Sequence, residues 1–357
     1  MTHDVPVPPA SREDDGREVV LCECFARDGL QHETAQLSTA DKVALIDRFA
    51  AMGFARIEAT SYSNPKVVPQ FADASELLRG LPRRPGVFYK ATCANPRAVE
   101  RALADADAGS GANEISLLVS ATDSHSRKNL ARDRAEQWEN IRAMARAAGG
   151  RFRMVGTVSM AFGCPFEGRV APDEVLADVG RFRDAGVLHV ALGDTTGTAT
   201  PRSTAELFRR MRAACPDVVP IAHFHDTRGT GIANYLAALD AGVRHFDCAF
   251  GGVGGHPTKV KYGGGHTGNV CTEDLVDLLE TMGVRTGIDT AALLPAVEAC
   301  EAALGRELEG RVARSGLNPL RAASGGTAAR EGRGAAAGGG DARAPQSRAG
   351  TGHAASP

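Results

Sequence analysis

The sequence predicts an α/β protein whose parallel strands close into a (β/α)8 TIM barrel, with disordered N- and C-terminal tails. Three observations favour this fold class. Short β-rich runs alternate with helical patterns, the alternation occurs eight times at about 30 residues a unit, and polar residues follow the ends of the runs. A doubly wound open sheet is the alternative, although such a sheet normally has fewer strands.

The runs and helical patterns follow one another regularly along the chain. Strands are expected at 18–27, 54–61, 87–93, 113–120, 152–160, 187–193, 219–225 and 244–250. Helices are expected at 39–52, 67–80, 96–107, 131–149, 171–185, 202–214, 230–241 and 272–282. In the first helix, TADKVALIDRFAAMG has apolar residues at helical spacing, Ser38 or Thr39 can cap its start, and Gly53 ends it.

The barrel domain is expected to span residues 18–315. Residues 1–17 are interpreted as a disordered polar arm. Residues 322–357 are rich in Ala, Gly and Arg and have almost no large apolar side chain. Such a low-complexity tail cannot bury enough surface to offset its ordering entropy, so we expect it to be disordered.

Composition excludes several classes of function. A formal net charge of −2 is not typical of a protein that binds nucleic acid or an anionic membrane, and no apolar run is long enough to span a bilayer. The N-terminus has no apolar core of a secretory signal. The eight cysteines contain no C-x-x-C pair, which favours reduced thiols in a cytoplasmic protein over a disulfide framework or a zinc site.

Active sites of such barrels lie at the carboxyl ends of the strands. Polar residues stand there in this sequence: run one ends in Arg27-Asp28-Gly29, run six in Gly193-Asp194-Thr195 and run seven in His223-Phe224-His225-Asp226. The starts of the strands are expected to have no comparable set.

His223 and His225 share one face of a strand because alternate residues point the same way. Asp28 ends the first strand, which borders the eighth strand across the barrel closure. A mixed nitrogen and oxygen set of this kind suits Mg²⁺, Mn²⁺, Fe²⁺, Co²⁺ or Zn²⁺. The alternative is that both histidines hydrogen-bond to barrel carboxylates and hold no metal.

Two further charged residues permit two interpretations each. Arg27 is either a member of a surface ion pair or a fixed cation for a developing oxyanion. Glu58 lies in the apolar strand FARIEATSY, where a buried acid needs a partner such as Arg27. Glu58 forms either a structural salt bridge or part of the active site.

The Gly-rich stretch 251–269 also has alternative interpretations. It is a mobile lid over the substrate, a phosphate cradle helped by Lys259 and Lys261, or a flexible connector. His256 and His266 are two further titratable groups within it.

The motif FARDGLQHE at 25–33 resembles the R-D-G-L-Q-N-E motif of the hydroxymethylglutaryl-CoA lyase family, within the DRE-TIM metallolyase superfamily. Other segments resemble that family in the same order: RIEATSYSNPKVVPQ, VSMAFGCPFEGRV, LGDTTGTATP, HFHDTRGTGIANYLAALDAGV and GNVCTEDLVDLLETMG. The resemblance implies a TIM barrel with a divalent cation, Mg²⁺ or Mn²⁺ being favoured. It also implies a homodimer that cleaves an acyl-CoA substrate, 3-hydroxy-3-methylglutaryl-CoA, to acetyl-CoA and acetoacetate.

The resemblance also implies roles for individual residues. The metal ligands would be Asp28, His223, His225 and Asn269. Arg27 would bind substrate and stabilise the enolate, Glu58 would orient Arg27, and Asp194 would assist proton transfer at the tertiary hydroxyl. Gln31 would line the substrate pocket. Glu273 matches the acid that follows the metal-binding asparagine.

The chain departs from the family pattern at His256, where the family has a cysteine in G-G-C-P. His256 is expected to take over proton transfer, or the substrate is another acyl-CoA such as citramalyl-CoA or a longer 3-hydroxy-3-alkylglutaryl thioester, or activity is low. Thr34 stands where the family often has a lysine. A Claisen-type synthase and a barrel that only binds ligands are the competing functions.

Overall fold

Eight parallel strands form a closed barrel with the strand order β1 to β8, as the sequence predicted. The computed structural model describes Glu13, residues 16–255 and residues 268–320. The strands are Val20–Glu23, Arg56–Ser61, Phe88–Cys93, Glu114–Ser120, Arg153–Ser159, His189–Asp194, Val219–Phe224 and His245–Cys248. Most of the predicted arm, and the whole predicted tail at 322–357, lie outside the described residues.

Helices follow the strands around the outside of the barrel. The first six, α1 to α6, are Thr39–Ala51, Ala74–Gly80, Pro96–Asp107, Asp123–Leu130, Arg134–Ala148 and Pro172–Asp184. The next five, α7 to α11, are Pro201–Ala214, Gly231–Asp240, Thr272–Thr281, Leu293–Leu304 and Val312–Ser315. Ser38 caps α1 as expected, since its side chain accepts a hydrogen bond from the amide of Asp41.

Several predicted boundaries are wrong. The first strand was expected to reach residue 27, but it ends at Glu23, and a helical turn of π type follows at Phe25–Gly29. The carbonyl of Cys24 accepts from the amides of Arg27 and Gly29 in that turn. The helix expected at 67–80 begins only at Ala74, after a short turn that starts with Pro69. The helix expected at 131–149 is α5, and α4 was not predicted.

The main apolar core lies between the strands and the surrounding helices. Phe49 of α1, for example, stacks on Phe250 with ring centroids 5.1 Å apart. The inside of the barrel is different, because a separate buried group of Val155, Ala191 and Ile221 fills its middle. Side chains of alternate residues therefore divide each strand between an outer core and a filled barrel interior.

A buried ionic group occupies the amino ends of the strands. Arg56, the first residue of β2, donates to Glu114 at 2.8 Å, and Arg153 of β5 lies 2.5 Å from the other Glu114 oxygen. The rings of His189 and His245 lie beside this group, 6.1 Å apart. The expectation that strand starts have no comparable polar set is wrong. These charges are paired, so they can be buried in the floor of the barrel.

All eight cysteines lie within the described residues and are free thiols. Within the described ranges, no helix combines the length and apolar character needed to cross a bilayer.

Candidate functional site

A cavity of about 100 Å³ opens at the carboxyl ends of the strands. Its lining comes from strands β2 to β8 or the loops after them, from the π-type turn after β1, and from the short turn Leu30–His32 that follows it. The residues that line it are Arg27, Asp28, Gln31, His32, Glu58, Lys90, Ser116, Leu118, His125, Asn129, Thr157, Ser159, Gly193, Thr195, His223, His225, Asp247 and Gly255. The cavity therefore lies where the barrel fold predicts an active site.

Asp28, His223 and His225 form a cluster on one side of this cavity, with ligand atoms within 4.8 Å of one another. The Nε2 atoms of the two histidines are 3.2 Å apart. They lie 3.9 Å and 3.6 Å from Oδ2 of Asp28. The prediction that these three side chains converge across the barrel closure is confirmed.

The second ring nitrogen of each histidine has an acceptor beside it. Nδ1 of His225 lies 2.8 Å from the Thr195 carbonyl oxygen, and Nδ1 of His223 lies 3.4 Å from Oδ2 of Asp247. Each Nδ1–H can therefore donate outward, which leaves a lone pair on each Nε2. Two lone pairs beside a carboxylate repel one another unless a cation joins them, so this donor set fits a divalent metal ion.

Asn269 provides a second indication of a cation site. Its Nδ2 donates to Oδ2 of Asp28 at 2.7 Å and to the carbonyl of Val253 at 2.9 Å. Its amide oxygen is buried and accepts no hydrogen bond from the described residues. An unpartnered buried acceptor next to a carboxylate is an atom that a bound cation would satisfy.

Charged neighbours shift the pKa values of Asp28 and His223 in this cluster. Burial raises the pKa of Asp28, but the neighbouring His225 and the charge of Arg27 outweigh it and hold this pKa well below its usual value. Burial lowers the pKa of His223, but Asp247 and Asp28 outweigh it and raise this pKa. Asp28 is therefore an anion that is ready to bind a cation.

Arg27 faces the same cavity and is held by two carboxylates. Its guanidinium donates to Oδ1 of Asp28 at 3.0 Å, and its Nε lies 3.6 Å from Oε1 of Glu58. The same Glu58 oxygen accepts from the hydroxyl of Thr92 at 2.7 Å. The predicted partnership of Glu58 with Arg27 is thus confirmed. Nε of Arg27 is buried and has no hydrogen-bond partner among the described residues.

The other predicted residues occupy different positions. Gln31 lines the cavity, with its amide 3.1 Å from the ring of His32. Asp194 does not line it, because its carboxylate accepts from the amides of Thr198 and Ala199 at 2.8 Å and 2.9 Å. Its role in proton transfer stays a prediction. Glu273 accepts from the amide of Gly251 at 3.0 Å and so holds the loop after β8.

The predicted lid lies largely outside the described residues. His256, Lys259, Lys261 and His266 all belong to the undescribed range 256–267. The described chain reaches the cavity at Gly255 and resumes at Gly268, directly before Asn269 of the cluster.

Several polar residues of the cavity were not singled out from the sequence, among them Lys90, Asp247, His125 and Asn129. Lys90 and Asp247 are charged residues within the apolar strands VFYKATC and HFDCAF, which is the same signal that identified Glu58. His125 and Asn129 belong to α4, and they were missed because that helix was not predicted from the sequence.

Comparisons with known proteins agree with this geometry. The model of the family described as HMGL-like matches residues 18–299. A hydroxymethylglutaryl-CoA lyase from Pseudomonas mevalonii is 40% identical over 276 residues, which are 77% of this chain and 89% of that protein. A 3-hydroxy-3-isohexenylglutaryl-CoA/hydroxymethylglutaryl-CoA lyase from Pseudomonas aeruginosa is 35% identical over 302 residues, covering 84% of this chain and 97% of that protein.

A solved structure gives the same result for the fold. It is an HMG-CoA lyase from Acinetobacter baumannii in complex with coenzyme A and 3-methylmalate, with a TM-score of 0.79 and 35% identity. The match covers 84% of this chain and 96% of that chain. With its closed barrel, its Asp28, His223 and His225 cluster and these matches, the chain belongs to the HMGL-like family.

Proposed function

We propose that the protein is a metal-dependent carbon–carbon lyase that cleaves a 3-hydroxy-3-methylglutaryl-CoA-type thioester to acetyl-CoA and a 3-oxo acid. The observation on which this rests is the cluster of Asp28, His223 and His225 beside Arg27 in one cavity. The names of the relatives and the coenzyme A bound to the similar solved structure support the same substrate class.

The proposed metal ligands are Asp28, His223, His225 and Asn269. We favour Mg²⁺ or Mn²⁺, because both ions accept carboxylate and amide oxygens, and Mn²⁺ also accepts imidazole readily. When bound, such an ion would make the tertiary hydroxyl of the substrate more acidic.

The reaction is a retro-Claisen cleavage. The tertiary hydroxyl loses its proton, its electron pair forms the carbonyl of the 3-oxo acid, and the bond between C2 and C3 breaks. The electron pair of that bond becomes the enolate of the acetyl thioester, which is then protonated at C2. Arg27 has a buried Nε–H that no described residue accepts, and it can donate to the enolate oxygen. Glu58 holds the guanidinium in place.

The proton transfers are proposed for His256 and Asp194. His256 directly follows Gly255 in the sequence, Gly255 lines the cavity, and an imidazole is suited to acid–base work near neutral pH. If these roles are right, His256→Ala will lower kcat far more than Mn²⁺ affinity, whereas His223→Ala will lower both.

The described walls of the cavity favour a short acyl group. Leu118 is the one large apolar side chain among the lining residues that the structure describes, and the hydroxyl side chains of Ser116, Thr157 and Ser159 also line the cavity. A long alkyl branch on C3 would leave these hydroxyl groups facing hydrocarbon, which is unfavourable. We therefore place 3-hydroxy-3-methylglutaryl-CoA ahead of longer 3-alkyl analogues, with citramalyl-CoA as the next substrate to test.

The experiment is an activity screen of Mn²⁺- and Mg²⁺-loaded protein on these thioesters, with acetyl-CoA as the readout and His223→Ala as the control. We expect the unsubstituted protein to form acetyl-CoA from 3-hydroxy-3-methylglutaryl-CoA, and we expect His223→Ala to form none. If none of the thioesters gives acetyl-CoA, the proposal is wrong. Consumption of acetyl-CoA together with a 2-oxo acid would instead show a Claisen-type synthase.

We further propose that the protein is a cytoplasmic homodimer whose products place it in leucine degradation or ketone-body formation. Light scattering on the purified protein tests the dimer, since a monomeric mass would contradict it. Fractionation of the source cells tests the location.

A further inference from the structure

The barrel interior contains a second group of metal-binding atoms. Among the described residues, two groups of side chains place at least three such atoms within 4.8 Å of one another. One is the cluster in the cavity, and the other consists of Cys22, Cys24 and Asp247. Cys22 of β1 is the register partner of Asp247 of β8, so this group lies at the barrel closure. The sequence did not indicate it, because its members come from opposite ends of the barrel domain.

The two thiols lie at a spacing that suits a tetrahedral metal ion. Their Sγ atoms are 3.9 Å apart. Two sulfur ligands of a tetrahedral ion, with metal–sulfur bonds of about 2.3 Å, lie about 3.8 Å from one another. A disulfide fits less well, because residues i and i+2 of a strand have Cα atoms about 6.5 Å apart and disulfides favour about 5.5–6 Å. The geometry therefore favours an ion between the sulfur atoms over a bond between them.

Both thiols are completely buried, directly behind the wall of the cavity. Neither thiol lines the cavity, but Asp247 does. An ion that enters at the carboxyl ends of the strands meets Asp247 first, and the sulfur atoms lie within 4.8 Å of its carboxylate. The thiol of Cys24 makes long contacts, 3.6 Å to the Cys22 carbonyl and 3.9 Å to the Cys22 sulfur, and a thiol is a weak donor. An ion can replace such contacts at little cost.

The surrounding charges are suited to a cation held by thiolates. Burial raises the pKa of the Cys24 thiol well above its usual value, and the neighbouring Cys22 and Asp247 raise it further. A coordinating metal ion nevertheless removes the proton of a thiol. Two thiolates, one carboxylate and a divalent cation together have one negative charge, and Arg56 and Lys90 lie 3.4 Å and 3.7 Å from the carboxylate to compensate it.

We propose that Cys22, Cys24 and Asp247 form a second metal site, which takes a thiophilic divalent cation such as Zn²⁺ and whose occupation weakens the proposed catalytic metal site. On binding, two sulfur–metal bonds form, each thiol gives its proton to water, and no electron is transferred. Sulfur ligands select Zn²⁺ or Cd²⁺ over Mg²⁺ and Mn²⁺, which prefer oxygen, so the two sites would hold different ions.

The link between the two sites is the Asp247 carboxylate. Its Oδ2 lies 3.4 Å from Nδ1 of His223, the ring that we assign to the catalytic metal. An ion bound to the thiols would share this carboxylate and so compete with the ring for it. Loss of such an orienting partner typically lowers metal affinity by about 10- to 100-fold.

The test titrates Cd²⁺ into the full-length protein and follows the ultraviolet charge-transfer band of cadmium–thiolate bonds. We expect the band to saturate at about one Cd²⁺ per chain. Cys22→Ala and Cys24→Ala should each abolish most of it. Cys93→Ala is the matched control, because it removes a completely buried thiol from the outer face of β3, and it should retain the band. Cd²⁺ at the proposed catalytic ligands gives no such band, since none of them contains sulfur.

X-ray absorption at the zinc edge of the unsubstituted, Zn²⁺-loaded protein gives a readout that does not depend on the folding of a variant. We expect sulfur neighbours of zinc at about 2.3 Å. A zinc shell of nitrogen and oxygen alone would overturn the inference. A full cadmium band in both Cys22→Ala and Cys24→Ala would overturn it as well.

Electron paramagnetic resonance of free Mn²⁺ tests the effect on the catalytic site. Cd²⁺ should raise the Kd for Mn²⁺ in the unsubstituted protein about 10- to 100-fold more than in Cys22→Ala, where Cd²⁺ competes only for the catalytic ligands. Equal rises would contradict the weakening of that site. This effect rests on the proposed catalytic ligands, whereas the cadmium band does not. Failure of the lyase proposal is therefore seen separately, as absence of Mn²⁺ binding and of acetyl-CoA in the unsubstituted protein.

Discussion

Single side chains in this site are held in place by charged neighbours. Asp247 illustrates this, because it lies beside the ring of His223 and also pairs with Arg56 at 3.4 Å and with Lys90 at 3.7 Å. Burial raises the pKa of Asp247, but Lys90 and the hydrogen bond with His223 outweigh it and bring this pKa well below its usual value. Asp247 therefore stays anionic and fixes the ring that we assign to the metal.

Asp247→Asn should weaken Mn²⁺ binding by about 10- to 100-fold, because a neutral amide orients the His223 ring less firmly. Calorimetric titration with Mn²⁺ measures this change. Asp73→Asn, which removes a carboxylate outside the cavity, is the control and should leave the affinity unchanged. An unaltered Kd in Asp247→Asn would show that His223 needs no such partner.

Arg27→Met should lower kcat by about 10²- to 10³-fold, because the enolate would lose a preorganised donor. Mn²⁺ affinity should change much less, since Arg27 is not a ligand. The matched control is Arg84→Met, which breaks a half-buried pair with Asp47 outside the cavity. A large loss of Mn²⁺ binding with kcat retained would contradict the role assigned to Arg27.

The sequence predicted some of these residues and not others for a physical reason. Asp28 lies in one short polar motif at a strand end, and His223 and His225 lie in another. Barrel geometry brings strand ends together, so the convergence of these side chains could be predicted. Lys90 and Asp247 are single charged residues inside apolar strands. Whether such a residue faces the barrel interior depends on a strand register that only the folded barrel defines.

At the scale of elements, two turns create the site together. The π-type turn Phe25–Gly29 and the glycine turn after β8 are so close that a Cβ on Gly29 would lie 2.7 Å from Cγ2 of Val253. Gly254 has a φ of +108°, and a Cβ there would lie 2.5 Å from Nδ2 of Asn269 and 3.1 Å from Oδ2 of Asp28. Glycine at this position leaves space for the two side chains to meet.

Gly254→Ala should therefore raise the Kd for Mn²⁺ by at least about 10-fold, because the methyl group displaces Asn269 or Asp28. Gly283→Ala is a control with comparable backbone strain, since Gly283 has a φ of +79° and open space around it. Both variants should lose some thermal stability, but only Gly254→Ala should lose metal affinity. Equal Mn²⁺ affinities in the two variants would show that the turn at residue 254 shifts to accommodate the methyl group.

Element boundaries were less predictable than the element order. The π-type turn replaces the end of the first predicted strand because the Cys24 carbonyl accepts from the amides of Arg27 and Gly29. These backbone hydrogen bonds leave no pattern of apolar residues in the sequence, so they were not predicted. Helix α4 is short and polar, so hydrophobic periodicity gave no sign of it. The alternation of strands and helices, in contrast, was sufficient to predict the closed barrel.

The whole molecule depends on the closure between the first and eighth units, and Glu23 lies at that junction. Its carboxylate accepts from the amides of Phe25 and Phe250 at 2.9 Å and 3.1 Å, and from the hydroxyl of Thr272 at 2.6 Å. Burial raises the pKa of Glu23 to about 8. The ionised form is therefore disfavoured in the folded state.

Folding stability should fall between about pH 5 and pH 8 because of Glu23. The folded state keeps its proton while the unfolded carboxyl, with its usual pKa near 4.5, has lost it. The contribution is thus fully present below pH 4.5 and is lost as the pH rises through about 8, with a slope of up to about 1.4 kcal/mol per pH unit. Urea unfolding at several pH values measures it. Glu23→Gln should flatten the profile, and an unchanged slope would refute the assignment.

The ionic group at the floor of the barrel has a kinetic consequence. Because Arg56, Glu114 and Arg153 fill the amino end, both products of a cleavage would share one exit. The 3-oxo acid would form at the inner end, behind the acetyl thioester, and could diffuse out only after acetyl-CoA had departed. Product release would then be ordered. The 3-oxo acid, which leaves last, should inhibit competitively with respect to the substrate, whereas inhibition by acetyl-CoA should not be competitive.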